Sequence, residues 1–254
     1  MRSWLALWSL LVVGACAPPD SPSVDLASVA TSGALIRYFG RGIYESLAMQ
    51  PCRASPSTQL RAVKREEAAF VAAWESTLVG PVAENVALAK EDVAFGGESD
   101  DRFCWGDDMD QHLDRRDLEW FFSHVETFRE ELRRPSFRPQ TVRGLDRHSM
   151  PRGAEFRSLV REVLKSLRWE CTEIDRRPFL AAAKPMVDQF THKMRRTKFA
   201  AQFEVARADV AILDLVIFSN CSFMPTRSMS AADMNARLST LSKRIAAAER
   251  IAGI

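Results

Sequence analysis

Leu88-Ala-Lys-Glu-Asp-Val-Ala-Phe95 is followed, 117 residues later, by the similar stretch Val205-Ala-Arg-Ala-Asp-Val-Ala-Ile212. Four of the eight aligned positions are identical. The alignment continues without gaps until Cys104 falls on Cys221. A pattern that recurs at a fixed period indicates a repeated structural unit, so this pair of stretches predicts two related halves.

A second alignment lies upstream, at the slightly larger offset of 120 residues. It places Ile36–Gln50 over Phe156–Glu170. Two arginines, one serine and one leucine recur in it: Arg37/Arg157, Arg41/Arg161, Ser46/Ser166 and Leu47/Leu167. Because the two alignments occur in the same order along the chain, they support a duplication. The alternative is that two unrelated helical segments share a common apolar pattern.

Helical periodicity predicts an all-α fold with four helices in each unit. Ile36, Phe39 and Ile43 have the i, i+3, i+7 spacing of an amphipathic helix, and similar stripes recur along the chain. In the third helix of the first unit, Gly96-Gly97 is expected to interrupt the helix, whereas the second copy continues. Asp110 and Ser230 are predicted to cap the fourth helices, since short polar side chains are favoured there.

The N-terminus is typical of an exported protein. Met1-Arg2-Ser3 is followed by an apolar run from Trp4 to Val13, about half the length that a membrane-spanning helix needs. The next residues, Gly14-Ala15-Cys16, resemble the lipobox of bacterial lipoproteins, although glycine is a less usual occupant of its position. The resemblance implies that Cys16 is lipidated and becomes the mature N-terminus. Ala17, in place of Asp, implies the outer rather than the inner membrane.

The predicted organisation follows from these features. Residues 1–15 are a signal peptide, 16–32 a lipidated cysteine and tether, 33–134 the first helical unit, 135–153 a Pro/Arg-rich linker and 154–254 the second unit. Pro, Ser and Ala dominate the tether and give it no packing periodicity. A plain secreted protein without a lipid is the alternative.

Charge excludes one class of function. The chain has 35 basic and 33 acidic residues, a balance that does not support nucleic-acid binding. The expected partners are the membrane, through the N-terminal lipid, and another envelope protein. No cofactor is predicted.

Four cysteines remain after Cys16, and an exported chain meets an oxidising compartment. In an up-down-up path, the ends of the first and third helices lie at the same end of a bundle. The expected disulfides are therefore Cys52–Cys104 and Cys171–Cys221, each closing a loop of about fifty residues that contributes roughly 4 kcal/mol. Three pairings are possible, and free buried thiols are the remaining alternative.

Recurring charged residues predict ion pairs. Asp92 and Asp209 are equivalent in the first alignment, and neither has a basic residue three or four positions away. We expect each to contact the arginines of the first helix in its own unit. The recurring arginines of the second alignment complete this set: Arg37, Arg41, Arg157 and Arg161. A structural role is favoured over a ligand site.

An acidic stretch, residues 98–119, is the candidate ligand site. Asp108, Asp110 and Asp114 are its most notable members, and Asp114 occupies a stripe position that Met234 has in the second unit. Calcium prefers clustered carboxylate oxygens, but the spacing of a calcium-binding loop is missing. A solvated loop is the favoured interpretation, and no metal site is predicted.

Two functions follow. The favoured one is a non-enzymatic envelope lipoprotein that binds another protein or has a structural role. The alternative is a hydrolase or ligand-binding protein with an acidic site between the two units. Catalytic motifs such as G-x-S-x-G or H-E-x-x-H do not occur in the sequence, which favours the first function without excluding the second.

Overall fold

The computed structural model describes residues 33–48, 50–51, 58–99, 104–105, 114–134, 151–168, 172–216 and 225–254. Residues 1–32, with the predicted signal peptide, lipidation site and tether, lie outside this part, as does most of the predicted linker. The described part is mostly helical, which confirms the all-α prediction. We call residues 33–134 the first half and residues 151–254 the second half.

Both halves present the same order of elements. In the first half these are α1 (Ala34–Ala48), β1 (Gln50–Pro51), α2 (Thr58–Glu75), α3 (Gly80–Ser99), β2 (Cys104–Trp105) and α4 (Asp114–Arg133). In the second half they are α5 (Gly153–Lys165), β3 (Ile174–Asp175), α6 (Arg177–Met194), α7 (Ala200–Val216), β4 (Arg227–Ser228) and α8 (Ala231–Ala252).

The helices form where the apolar stripes predict them. Phe156, Val160 and Val163 on α5 are completely buried, at the i, i+4, i+7 spacing of a core-facing stripe. The predicted cap of α8 is confirmed, because the Ser230 Oγ accepts a hydrogen bond from the Asp233 N–H at 3.0 Å. The corresponding cap in the first half, Asp110, lies outside the described residues.

Two details of the helical prediction are wrong. Gly96-Gly97 does not interrupt α3, which continues to Ser99. A glycine in a helix interior costs only about 1 kcal/mol, and the packing of the buried stripe that precedes it outweighs this cost. The sequence also gave no sign of the two parallel strand pairs, β1·β2 and β3·β4. Each strand is two residues long, too short to produce an alternating pattern.

Each half has its own apolar core. In the first half, α1 packs against α3 and α4, and α2 packs against α4. In the second half, α5 packs against α7 and α8, and α6 packs against α8. Gly40 is the point of closest approach between α1 and α3, since a Cβ there would lie 3.2 Å from the Ala89 Cβ. Across the described residues, no helix is both long and apolar enough to span a membrane.

The halves contact each other reciprocally. The first helix of each half packs against the third helix of the other half, α1 on α7 and α5 on α3. Small side chains allow this close contact: Ala34 of α1 lies in one apolar cluster with Ala208, Ala211 and Ile212 of α7. The fold therefore brings the four helices that carry the recurring charged residues to one interface.

Candidate functional site

Six charged side chains meet where the two halves join. α1 contributes Arg37 and Arg41, α3 contributes Asp92, α5 contributes Arg157 and Arg161, and α7 contributes Asp209. We call these six residues the interhalf cluster. They are the residues that the sequence alignments selected.

Asp209 is the acceptor at the centre of one side of the interhalf cluster. Its Oδ1 accepts a hydrogen bond from the Arg37 Nε at 2.6 Å and lies 3.1 Å from the Arg41 Nη2. Its Oδ2 accepts from the Arg161 Nη1 at 3.1 Å. The side chains of Arg37 and Asp209 have no exposed surface, so this is a fully desolvated ion pair.

Asp92 is the acceptor on the other side. Its Oδ1 accepts from the Arg157 Nε at 2.9 Å and lies 2.8 Å from the Arg157 Nη2. Its Oδ2 accepts from the Arg161 Nη1 at 2.7 Å. Arg161 therefore links both carboxylates, and the two sides form one continuous hydrogen-bonded network.

The predicted partners are wrong for three of the four arginines. Arg37 and Arg41 pair with Asp209 of the opposite half, and Arg157 pairs with Asp92 of the opposite half. Arg161 contacts the aspartates of both halves. The reason is the helix packing, because α1 lies against α7 and α5 lies against α3 where these side chains emerge.

Two amide side chains complete the interhalf cluster and were not predicted. Arg37 donates from its Nη1 to the Asn85 Oδ1, and Arg157 donates from its Nη1 to the Gln202 Oε1. Both amides are buried. Asn85 and Gln202 are themselves separated by 117 residues, the offset that aligns the two aspartates. Extending the alignment of Leu88 with Val205 by three residues towards the N-terminus would have identified both amides.

Opposite charges overcome the cost of burial in this cluster. Burial by itself would raise the pKa of Asp209, but attraction by Arg37, Arg41 and Arg161 holds the pKa well below its usual range. Burial likewise acts to lower the pKa of Arg161, and Asp92 and Asp209 more than compensate, so this pKa is raised. Asp209 and Arg161 are therefore both charged at neutral pH.

Two further carboxylates balance the cluster. Glu91 Oε2 accepts from the Arg157 Nη2 at 2.8 Å, at the solvent side of the interface. Burial raises the pKa of Glu45, and the attraction of Arg41, Arg161 and Lys165 opposes this increase. Among the described residues, Glu91 and Glu45 thus add negative charge beside the four guanidinium groups, and Lys165 adds a further positive charge.

The remaining predicted site residues lie mostly outside the described part. This is so for Cys16, Cys52, Cys171 and Cys221, and for Asp108 and Asp110 of the candidate acidic site. The backbone of Cys104 belongs to β2, and Asp114 begins α4. Within the described ranges, no group of three or more His, Cys, Asp or Glu side chains is placed to hold a metal ion.

The geometry of the interhalf cluster fits a structural role. Arg37, Arg157, Asp92 and Asp209 are at most 2% exposed at their side chains, and Arg41 and Arg161 are 16% and 12% exposed. The cluster uses most of its polar atoms on internal partners. Comparisons with protein families, with curated proteins and with solved structures found nothing similar to this chain.

Proposed function

We propose that this chain is an envelope lipoprotein that acts without catalysis, by binding another envelope protein with its helical body. One observation carries the proposal: the charged side chains that recur in both halves are buried and paired with each other. A catalytic or ligand site built from these residues would need them exposed to a groove. Within the described residues, these side chains are instead paired with one another across the interface, as in a rigid scaffold.

A duplication of one four-helix unit is part of the proposal. Three features support it: the repeated order of elements, the reciprocal packing of first on third helices, and the equivalent partners of Arg37 and Arg157.

We further propose the disulfides Cys52–Cys104 and Cys171–Cys221. The register of β1 and β2 supports the first pairing, because Gln50 lies opposite Cys104 and Cys52 is two residues further along the chain. The β3·β4 pair constrains the second pairing less closely. Its paired residues Ile174 and Arg227 follow Cys171 and Cys221 by three and six residues, and six residues can span roughly 22 Å.

The lipobox resemblance supports anchoring by a lipid on Cys16. The anchored body would face the periplasm, at the outer rather than the inner membrane. Non-reducing peptide mapping by mass spectrometry, on full-length protein extracted from its own membrane, tests anchor and disulfides together. We expect an acylated Cys16 peptide and two linked peptides, Cys52–Cys104 and Cys171–Cys221. An unmodified N-terminus with free thiols would contradict the export argument, whereas a Cys52–Cys171 link would contradict only the two-unit pairing.

Photo-crosslinking in the native envelope tests the binding function. A photoreactive amino acid would be placed at exposed sites on different parts of the body, for example Val79, Lys184 and Ile254. We expect one reproducible partner, captured from neighbouring sites and not from the opposite surface. The variants serve as controls for one another, because they carry the same photoreactive amino acid at different surface positions. Capture of the same abundant proteins from every site would count against a specific partner.

The alternative is an enzyme or ligand-binding protein with an acidic site at Asp108, Asp110 and Asp114. The contacts described above do not support this alternative. The acylation and disulfide measurements do not distinguish this alternative from the scaffold function. The substitution Asp114→Asn distinguishes them, because a scaffold should retain its crosslinked partner when this carboxylate is replaced.

A further inference from the structure

A basic cavity lies in the second half and has no residue of the interhalf cluster in its lining. It is open to solvent on one side, is lined by residues of α5, α6 and α8 and their flanks, and has a volume of about 510 Å³. Pockets for small molecules typically measure about 300–1,000 Å³. Its apolar floor includes Phe179 and Leu241, both 2% exposed. The cavity therefore has the size and the mixed lining of a small-molecule site.

Positive charge dominates the polar lining. Lys165, Arg237 and Arg244 face a single carboxylate, Glu162. That carboxylate lies 3.3 Å from the Lys165 Nζ and 3.5 Å from the Arg244 Nη1, so it is shared between two cations. Arg237 is exposed and makes no ion pair within the described residues. Together with Arg176, these residues place four cations against one lining carboxylate, and Glu45 attracts Lys165 from outside the lining. The lining therefore has an excess of positive charge.

A fourth cation, Arg176, has a supporting position. It is only 4% exposed, and it donates to the carbonyl oxygens of Ser166 and Arg168 at 3.4 Å. These carbonyls follow the C-terminus of α5, which is the negative end of the helix dipole. Because the guanidinium group covers them, the negative end of α5 does not repel an anion at the cavity.

The first half provides an internal comparison. At the offset of 120 residues, Glu45 corresponds to Lys165 and Asp117 corresponds to Arg237, so the charges are reversed. His124, which corresponds to Arg244, lies so close to Gly42 that a Cβ there would be 3.2 Å from its ring. A half with this helix order therefore folds without basic residues at these positions. The basic lining is a property of the second half alone and is not needed to form the helices.

From this cavity we infer a binding site for a phosphate group, carried by a small organic molecule or by a lipid headgroup. A phosphate monoester has a charge of about −1.5 to −2 at neutral pH, so the excess positive charge of the lining attracts it. The planar guanidinium groups of Arg237 and Arg244 can each donate two parallel hydrogen bonds to phosphate oxygens. Phe179 and Leu241 would contact the carbon part of the ligand. The inference goes beyond the proposed scaffold function and does not depend on it.

Isothermal titration of the full-length protein, purified in a non-ionic detergent at low ionic strength, tests the inference. The probes are glycerol 3-phosphate and the soluble short-chain lipid dihexanoyl-phosphatidic acid. We expect saturable binding of at least one probe with a stoichiometry of one. Arg237→Gln should weaken it about tenfold, since a charge-assisted hydrogen bond is lost. The matched control is Lys243→Gln, which removes one positive charge from the exposed surface of α8 outside the cavity and should change the affinity less than about twofold.

The two probes distinguish the source of the phosphate. Equal affinity for both would indicate a soluble phosphate compound, whereas tighter binding of the lipid would indicate a headgroup with its acyl chains on the apolar floor. Unfolding temperatures of both variants should match that of the unchanged protein, because Arg237 and Lys243 are exposed. Lack of saturable binding by either probe, or equal affinity of Arg237→Gln and the unchanged chain, would overturn the inference. Neither result would bear on the crosslinked envelope partner.

Discussion

Asp209→Asn is expected to lower the free energy of unfolding by about 3–5 kcal/mol, since removing one partner of a buried ion pair leaves the other charge uncompensated. Asp209 accepts from Arg37 and Arg161 and lies beside Arg41, and its side chain has no exposed surface. For a folded body of this size, the loss corresponds to a decrease of roughly 10 °C in the unfolding temperature. Urea unfolding followed by circular dichroism measures it.

The control is Asp188→Asn. Asp188 is exposed and lies 3.4 Å from Lys184 in an i, i+4 pair on the surface of α6. Such a pair contributes about 0.3–0.5 kcal/mol, so the control should unfold almost like the unchanged chain. Equal losses in the two variants would mean that the interhalf cluster has no special role in stability.

Acid should have the same effect as the Asp209 substitution. The pKa of Asp209 is lowered in the folded chain, so its contribution is fully present above the unfolded-state value of about 3.9. This stability is lost as the pH falls below that value towards the folded-state pKa. The difference in stability between Asp209→Asn and the unchanged chain should therefore be constant near neutrality and decrease only below about pH 4.

A double-mutant cycle identifies which half supplies the partner. Arg37→Gln and Asp209→Asn, 172 residues apart in sequence, should show a coupling energy above about 1 kcal/mol. Arg37→Gln and Asp92→Asn should couple less, because no direct hydrogen bond joins Arg37 to the aspartate of its own half. Stronger coupling within the half would contradict the reciprocal arrangement.

The second large effect concerns the separated halves. Residues 151–254 alone are expected to lose cooperative unfolding, because Arg157 would lack Asp92 and Asp209 would lack Arg37. Separation removes both ion pairs together with the packing of α1 on α7 and of α3 on α5, while solvent reaches the freed charges. The apolar surface of α7 around Ala211 and Ile212 would also become exposed. Circular dichroism during urea unfolding is the measurement.

One control makes this result specific. Coexpression of residues 33–134 should restore a cooperative transition, since it supplies both missing partners and covers the exposed face of α7. If residues 151–254 alone unfold cooperatively with the stability of the intact chain, the halves are independent units and the interhalf cluster is only a surface contact.

Much of the fold could be predicted because helix formation depends on local patterns. The stripe at Phe156 and Val163, and the cap at Ser230, are features of neighbouring residues on one helix. The continuation of α3 through Gly96-Gly97 could not be predicted in this way, because packing by the rest of the chain outweighs a local preference. The two-residue strands were also beyond prediction, since their pairing depends on where the helix ends meet.

The amino-acid sequence by itself determined which side chains form the interhalf cluster, because Arg37, Asp92, Arg157 and Asp209 recur at matching positions. Only the tertiary structure decided which of them pair. Because the same residues recur in both halves, each arginine has two equivalent aspartates as possible partners, one in its own half and one in the other. The choice between them depends on the packing of α1 against α7 and of α5 against α3, and no local pattern encodes it.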